Sequence, residues 1–162
     1  MDGQGVKESL ITMSQIMQPT DANLAGNVHG GVIMKMIDNA AAVTGIRHAK
    51  THVVTASIDR LSFHHPVYIG DLITIKSSIN MVGNTSLEVG VRVESENIIG
   101  SQVRHIASAY LTFVALDKDG KPAKIPPLII RTKEEERRNL EAQARKKLRM
   151  AERQAEEEHQ RS

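Results

Sequence analysis

The chain has 162 residues, of which 40% are hydrophobic and 25% charged, and it contains no cysteine. These proportions are typical of a soluble globular protein with one core and an appendage. Because there is no cysteine, disulfides, a thiolate nucleophile and a thiolate metal site are excluded. The net charge is only +2, and two Phe and two Tyr offer little for stacking on nucleic-acid bases, so we expect no nucleic-acid partner.

The N-terminal segment lacks the basic start and apolar run of a secretion signal. No apolar stretch of the chain reaches the roughly 20 residues that span a bilayer. We therefore expect a cytoplasmic protein with no membrane partner. Residues 1–9 are predicted to form an N-terminal tail.

The predicted elements begin with a strand over residues 10–18, which Pro19 ends, and a polar loop over residues 20–28. A helix is predicted from Val32 to Ala49. Because nearly all of its positions are apolar or small, we expect this helix to be largely buried. Four more strands, joined mainly by short turns, are predicted at residues 53–63, 72–82, 85–94 and 105–116.

One strand, one long helix and four further strands predict an α+β fold in which an antiparallel sheet wraps around a central helix, the arrangement of the hotdog fold. We assign this domain to residues 10–130. The sheet has free edges, and one sheet cannot cover so apolar a helix completely. We therefore expect a homodimer at least.

The composition changes after Arg131, where acidic and basic residues alternate without Gly or Pro. Residues 131–162 are predicted to form a charged helix. Its thin apolar stripe consists of Leu140, Ala144, Leu148 and Ala151. This pattern favours a solvated or partner-packed extension over additional core. Contact of residues 145–149 with RNA or a membrane is a weaker alternative, because acidic residues lie nearby.

The loop before the long helix carries the residues with the clearest chemical meaning. Gly30 and Gly31 allow another group to approach the backbone closely, and free amides at a helix start favour partial negative charge, such as that of a polarised carbonyl oxygen. Asp38 follows two turns later, on a flank of small residues. The structural alternative is an ordinary turn and an acid satisfied by backbone amides or by a partner subunit.

The segment from Gln18 to Gly31, which contains GNVHGG at residues 26–31, resembles the cytosolic acyl-CoA thioester hydrolase family, as does Met34–Asp38. The similarity covers residues 10–128 and excludes the charged C-terminal extension. Further matching segments are Arg47–Lys50, Asp59–Phe63, Pro66–Val67, Gly70–Asp71, Val82–Ser86 and Leu111–Leu116.

The resemblance implies a hotdog enzyme that hydrolyses fatty acyl-CoA to a free fatty acid and CoA, using an Asn and an Asp from opposite sides of a dimer interface. Asn27 and Asp38 match these two residues. Asp38 would act as a general base on water or, less favoured, as a nucleophile. The amides near Gly30 and Gly31 would hold the carbonyl oxygen. His29 is a weaker catalytic candidate, with packing and hydrogen bonding beside the loop as the alternative.

CoA is part of the substrate and of the product, so no separate cofactor is expected. Its phosphates are bound by basic and hydroxyl groups, and the candidates are Arg60, Asn84, Thr85, Ser86 and Arg104. The alternatives for these residues are a hairpin turn and ordinary surface solvation. The histidines at positions 48, 52, 64, 65 and 105 lack compact metal-ligand spacing, so no metal site is predicted.

Two other functions remain open. A hotdog hydratase or dehydratase of acyl thioesters would need an acid and base pair acting at carbon, which Asn27 and Asp38 fit less well than water attack. A non-catalytic acyl-CoA sensor or scaffold would make no use of Asp38. A trimer of dimers is favoured because hexamers are common among the relatives that the chain resembles. The acyl-chain length depends on a tunnel between subunits that the sequence does not define.

Overall fold

A computed structural model of the protein describes residues 1–161. Single turns of 3-10 helix lie at Val6–Glu8 and Pro19–Asp21. The strands and helices are, in chain order, β1 (Gln4–Gly5), β2 (Ile11–Ile16), α1 (Gly30–Ala49), β3 (His52–Phe63), β4 (Leu72–Val82), β5 (Ser86–Asn97), β6 (Gln102–Leu116), β7 (Leu128–Ile129) and α2 (Lys133–Arg161).

Five strands form one antiparallel sheet in the order β2-β4-β5-β6-β3. The predicted alternation in β5 is seen directly, because Leu87, Val89, Val91 and Val93 are all buried on the face that α1 covers. This sheet and helix confirm the predicted α+β hotdog fold. Strands β2 and β3 are the two edges, and β3 has β6 as its neighbour on one side only.

Helix α1 begins at Gly30, two residues earlier than predicted, because the side chain of His29 caps it. It ends at Ala49, and the next residue, Lys50, has a φ of 58°, in the left-handed region. One side of α1 packs against the sheet, including Ile33 and Ile37. At Gly45 a Cβ would lie only 3.3 Å from the side chain of Val53, so even an alanine would force a small shift of that side chain.

The expectation that α1 is largely buried is wrong for the single chain, because only its sheet-facing side is covered. Its other side carries Val43 and Ile46, which are 38% and 41% exposed. Along the edge strand β3, the large apolar side chains of Met34, Ile58 and Phe63 are 38% to 44% exposed. We call the surface formed by Met34 of α1 with Ile58 and Phe63 of β3 the open flank.

The N-terminal segment, predicted to be a tail, contains β1, which pairs in parallel with β7. Gln4 also donates its amide to the carbonyl of Pro127 at 2.9 Å. Val6 and Ser9 are buried. The segment is held because residues 127–129 offer free backbone partners, a long-range pairing that local sequence does not encode.

Helix α2 packs on the sheet face opposite α1. Since side chains alternate between faces along a strand, Glu88 points away from the core face occupied by Leu87 and Val89, and it meets Arg145 of α2. Asn139 donates to the carbonyl of Asn80 at 3.0 Å.

The predicted apolar stripe of α2 is not its docking side. Leu140 and Leu148 are 60% and 54% exposed, whereas Ala142 is fully buried. The side of α2 that faces the sheet carries Arg145 and Arg149, because the sheet presents carboxylates there. Within residues 1–161, neither helix is both long enough and apolar enough to cross a membrane.

Candidate active site

The loop before α1 holds Asn27 by its backbone and leaves its side chain free. The amide of Asn23 donates to the carbonyl of Asn27 at 2.7 Å, and the side-chain oxygen of Asn23 accepts from the amides of Ala25 and Asn27. Gly26 sits at a φ of +84°, which favours glycine. The half-buried side-chain amide of Asn27 has no hydrogen-bond partner within residues 1–161. It is therefore available to a ligand.

The start of α1 offers fewer free amides than predicted. The N–H of Gly31 donates to Nδ1 of His29 at 2.9 Å, and the N–H of Val32 donates to the carbonyl of His29 at 2.9 Å. The N–H of Gly30 has no acceptor in the described part of the chain. Of the two glycine amides proposed for the carbonyl oxygen, only that of Gly30 is available in this arrangement.

His29 forms a hydrogen bond within the loop, which the sequence analysis gave as the alternative to a catalytic role. Since Nδ1 accepts a hydrogen bond, the ring proton lies on Nε2 in the neutral imidazole. A Cβ on Gly31 would lie 3.0 Å from Nδ1 of His29, so a side chain at Gly31 would crowd the capping ring. Gly30 faces a different side chain: a Cβ there would lie 3.8 Å from the ring of Phe63.

Asp38 is half-buried on α1, beside the open flank. Its Oδ1 accepts a hydrogen bond from Oγ1 of Thr55 on β3 at 2.7 Å. No partner within residues 1–161 is found for Oδ2, which leaves one carboxylate oxygen available to water. Thr55 was not predicted as a site residue, because threonine is common in strands and its spacing from Asp38 carries no motif.

Asn27 and Asp38 of one chain do not share a pocket. Gly30 and Asp38 are eight residues apart on one helix, so they are separated by roughly 12 Å along its axis. Asn27 lies beyond the start of that helix. The two side chains would act on one bond only if a second copy supplied one of them.

The predicted CoA contacts do not form one group within a chain. Asn84 and Thr85 lie in the turn between β4 and β5, and Ser86 begins β5. Arg104 pairs with Ser95 at the far end of β6, roughly 36 Å along that strand from the residue beside Thr85. Arg60 is exposed at a bulge of β3 with a φ of 46°.

Three histidines outside the loop have other contacts. The rings of His64 and His105 lie 5.3 Å apart, and His105 is within hydrogen-bond distance of Ser108. His48 is buried, with Nε2 3.0 Å from the carbonyl of Pro126. No three His, Asp or Glu side chains among residues 1–161 are grouped so that they could hold a metal ion.

Comparison of the chain with known proteins identifies its family. The model of the thioesterase superfamily matches residues 25–100. The cytosolic acyl coenzyme A thioester hydrolase of Rattus norvegicus is 38% identical over 142 residues, which cover 86% of this chain but only 37% of that protein. The chain thus spans just over a third of the length of that relative.

Two further relatives are covered over most of their length. Protein VdlD of Helicobacter pylori is 40% identical over 139 residues, which are 86% of this chain and 79% of that protein. The crystal structure of an apo-hexameric acyl-CoA thioesterase is 35% identical, with a TM-score of 0.90 over 94% of this chain and 97% of that one. The resemblance drawn from the motifs is confirmed, and the chain belongs to the acyl-CoA thioester hydrolases of the hotdog thioesterase superfamily.

Proposed function

We propose that the protein hydrolyses fatty acyl-CoA to a free fatty acid and CoA in the cytoplasm, with no cofactor besides the CoA of the substrate. The observation that carries the proposal is the carboxylate of Asp38, oriented by Thr55 through one oxygen and open at the other. A carboxylate with one free oxygen on an accessible flank is suited to take a proton from water. The names of the relatives supply the thioester substrate.

In the proposed mechanism Asp38 acts as a general base. It takes a proton from a water molecule while the water oxygen attacks the thioester carbonyl carbon. The carbon–sulfur bond then breaks, the fatty acid is released, and the thiolate of CoA takes the proton from Asp38, which restores the carboxylate. The hydrogen bond from Thr55 fixes the orientation of the carboxylate, since free rotation would misalign the accepting oxygen.

The developing negative charge on the carbonyl oxygen would be stabilised by the N–H of Gly30 and the positive end of the α1 dipole. The free side-chain amide of Asn27 would orient the water or the thioester. Direct attack by Asp38 on the carbonyl carbon is the less favoured route, because it would form an anhydride that still requires water.

The proposed site joins two copies of the chain, with Asn27 and Gly30 from one and Asp38 and Thr55 from the other. Three features support this arrangement: the separation of Asn27 from Asp38, the apolar open flank beside Asp38, and the unpaired edge of β3. A homodimer therefore contains two equivalent sites. We propose a trimer of dimers, in line with the hexameric relative.

The first test is thiol release from a panel of short to long acyl-CoAs by the purified full chain. We expect turnover with at least one member, and the panel gives the preferred chain length. Binding of acyl-CoA without thiol release would favour a sensor, and hydration of an enoyl-CoA without thiol release would favour a hydratase.

The second test mixes two inactive variants, Asn27→Ala and Asp38→Ala, after dissociation and reassembly. Each mixed dimer would hold one intact site and one doubly altered site. Equal mixing would then restore about a quarter of the wild-type activity, because half of the dimers are mixed and each has one working site. No recovery in assembled mixed dimers would contradict a site shared between copies.

A further inference from the structure

Helix α2 crosses the outer face of the sheet one strand at a time. Asn139 contacts β4, Arg145 contacts β5 and β6, and Arg149 contacts the edge strand β3, in the order in which these strands lie in the sheet. The helix rises about 15 Å from Asn139 to Arg149, and three strand spacings are about 14 Å. α2 therefore runs nearly perpendicular to the strands, towards the β3 edge.

The helix does not stop at that edge. It continues from Arg149 to Arg161, which is roughly 18 Å of further helix, and residues 150–161 are all exposed. In the proposed dimer the sheet of the second copy begins where β3 ends its own sheet. The last turns of α2 would therefore lie over the second copy.

The proposed shared site fixes where the two-fold axis of the dimer crosses β3. Gly30 faces the ring of Phe63, and Asp38 accepts a hydrogen bond from Thr55, so each half of the site is tied to one position of β3. Joining Gly30 of one copy to Asp38 of the other brings Phe63 of one β3 beside Thr55 of the other, in antiparallel strands. The register of β3 with β6 puts Asp59 midway between them. The axis therefore passes close to Asp59.

Helix α2 lies to one side of this axis. The part of β3 that lines the groove under α2 consists of Ala56, Ser57 and Asp59, which is the Thr55 side of the axis. The two-fold axis places the second α2 on the opposite side and reverses its direction. The two helices would then run antiparallel, side by side, over the joined sheets.

One side of α2 faces the axis. The guanidinium of Arg145 lies 3.7 Å from the ring centre of Tyr110, which is in register with Asp59. Residues three and four apart lie on the same side of a helix. The residues that share the side of Arg145 in this way are Glu141, Leu148, Glu152 and Ala155. This alternating spacing is that of helices packed against each other, and Leu148 is 54% exposed in the single chain.

The charges along α2 favour an antiparallel pair. Residues 145–149 carry four basic side chains, whereas residues 152–158 carry four acidic side chains and one basic one. The axis lies about half a strand spacing past Arg149, so it crosses α2 close to residue 151. Each basic segment would then lie beside the acidic segment of the other copy, which is favourable in charge.

The charged groups that would meet are unsatisfied in the single chain. Arg149 donates to Asp59 and Glu88 through Nη1 alone, and its Nε and Nη2 have no acceptor within residues 1–161. The carboxylates of Glu152 and Glu156 have no ion-pair partner in the same part of the chain. A guanidinium with free donors and carboxylates without partners are suited to each other.

We propose that the α2 helices of two copies pack antiparallel across the two-fold axis of the dimer, so that the charged C-terminal helix holds the two halves of the shared site together. Leu148 of each copy lies against Ala155 of the other, and Glu152 of each copy pairs with Arg149 of the other. This inference rests on the proposed function, because the shared site locates the axis.

The first test uses the absence of cysteine from the chain. Glu152→Cys places a single thiol on the side that faces the axis. The control, Met150→Cys, places it on the opposite side, because Met150 lines the groove towards Ser86. After mild oxidation of the dilute full chain, we expect about tenfold more disulfide-linked dimer from Glu152→Cys, since only thiols within bonding reach are bridged. Equal linking, or more linking of Met150→Cys, would overturn the proposed packing.

The second test reverses one charge. Glu152→Lys would repel Arg149 of the other copy, whereas the control Glu157→Lys reverses a charge on the opposite side of α2, where its partner is Arg153. We expect the dissociation constant of the dimer, measured by sedimentation at low salt, to rise about tenfold for Glu152→Lys alone and the difference to shrink at high salt. Equal dissociation constants of the two variants would overturn the pairing of Glu152 with Arg149.

Neither readout depends on turnover. If Glu152→Cys forms the linked dimer but wild type releases no thiol from any acyl-CoA, only the proposed hydrolysis is refuted. If the mixture of Asn27→Ala and Asp38→Ala regains activity while Glu152→Cys forms no linked dimer, the shared site stands and the contact between the α2 helices is overturned.

Discussion

The two carboxylates Asp38 and Glu88 lie on opposite sides of the same sheet and differ in how their charge is satisfied. Glu88 is fully buried under α2 and accepts hydrogen bonds from Asn80, Arg145 and Arg149. Asp38 is half-buried beside the open flank and accepts one hydrogen bond, from Thr55.

This difference separates a structural acid from the one that we propose as the general base. Every oxygen of Glu88 is occupied by donors that α2 and β4 provide, so its charge stabilises the docking of α2. Asp38 keeps one oxygen free, and in the proposed dimer a second copy and a substrate would reach it there. By burial alone, Glu88 would be the stronger candidate for a reactive acid. Because donors occupy both of its carboxylate oxygens, we assign it a structural role.

The largest expected effect is the loss of turnover in Asp38→Asn. The amide cannot take a proton from water, so we expect kcat for thiol release to fall about 10³-fold. The melting temperature should stay close to that of wild type, because Asp38 makes one hydrogen bond and is partly exposed. An active Asp38→Asn protein would contradict the general-base role.

The next effect is on stability, in Glu88→Gln. Arg145 and Arg149 would lose the buried carboxylate between them, and we expect the free energy of unfolding at pH 7 to fall by about 3 kcal/mol in urea titrations. Glu157→Gln is the control, since its ion pair with Arg153 lies in solvent and should have no resolvable effect. Equal stabilities of the two variants would show that the buried pair does not hold α2.

A smaller effect on the rate is expected from Thr55→Val, which keeps the shape of the side chain and removes the hydrogen bond to Asp38. Loss of one such bond corresponds to about a tenfold lower kcat. Thr55→Ser retains the hydroxyl and should recover most of the rate. If valine and serine variants have equal kcat values, Thr55 does not orient Asp38.

The smallest effect concerns pH and His48. Burial lowers the pKa of His48 below its ordinary value of 6.5, and the charge of Lys50 lowers it further. The hydrogen bond to Pro126 and the charge of Glu8 raise this pKa, but by less than burial lowers it. The unfolded chain therefore binds a proton below about pH 6.5 that the folded protein does not, so stability is lost as the pH falls through this value.

Melting temperatures from pH 8 to pH 5 measure this loss. Below pH 6.5 we expect the melting temperature of His48→Gln to depend less steeply on pH than that of wild type, whatever the stability of the variant at neutral pH. The exposed His52 serves as the control, and His52→Gln should keep the wild-type slope. Identical slopes for all three proteins would remove His48 as a cause.

Much of the fold followed from local pattern. Alternation in β5 and the apolar run of α1 predicted their elements, and short turns between strands predicted antiparallel pairing. Boundaries were less accurate: β6 begins at Gln102 instead of residue 105, and β5 continues to Asn97. Their ends pair with each other beyond the apolar stretch, which hydrophobicity does not mark.

The sequence by itself determined the family motif, the candidates Asn27 and Asp38, and the existence of a charged C-terminal helix, because these depend on residue identity and local periodicity. Only the tertiary structure decided that Thr55 meets Asp38 and that α2 docks through arginines. The physical reason is that a polar group's partner is set by which elements the fold brings within hydrogen-bond distance, and spacing along the chain does not specify this.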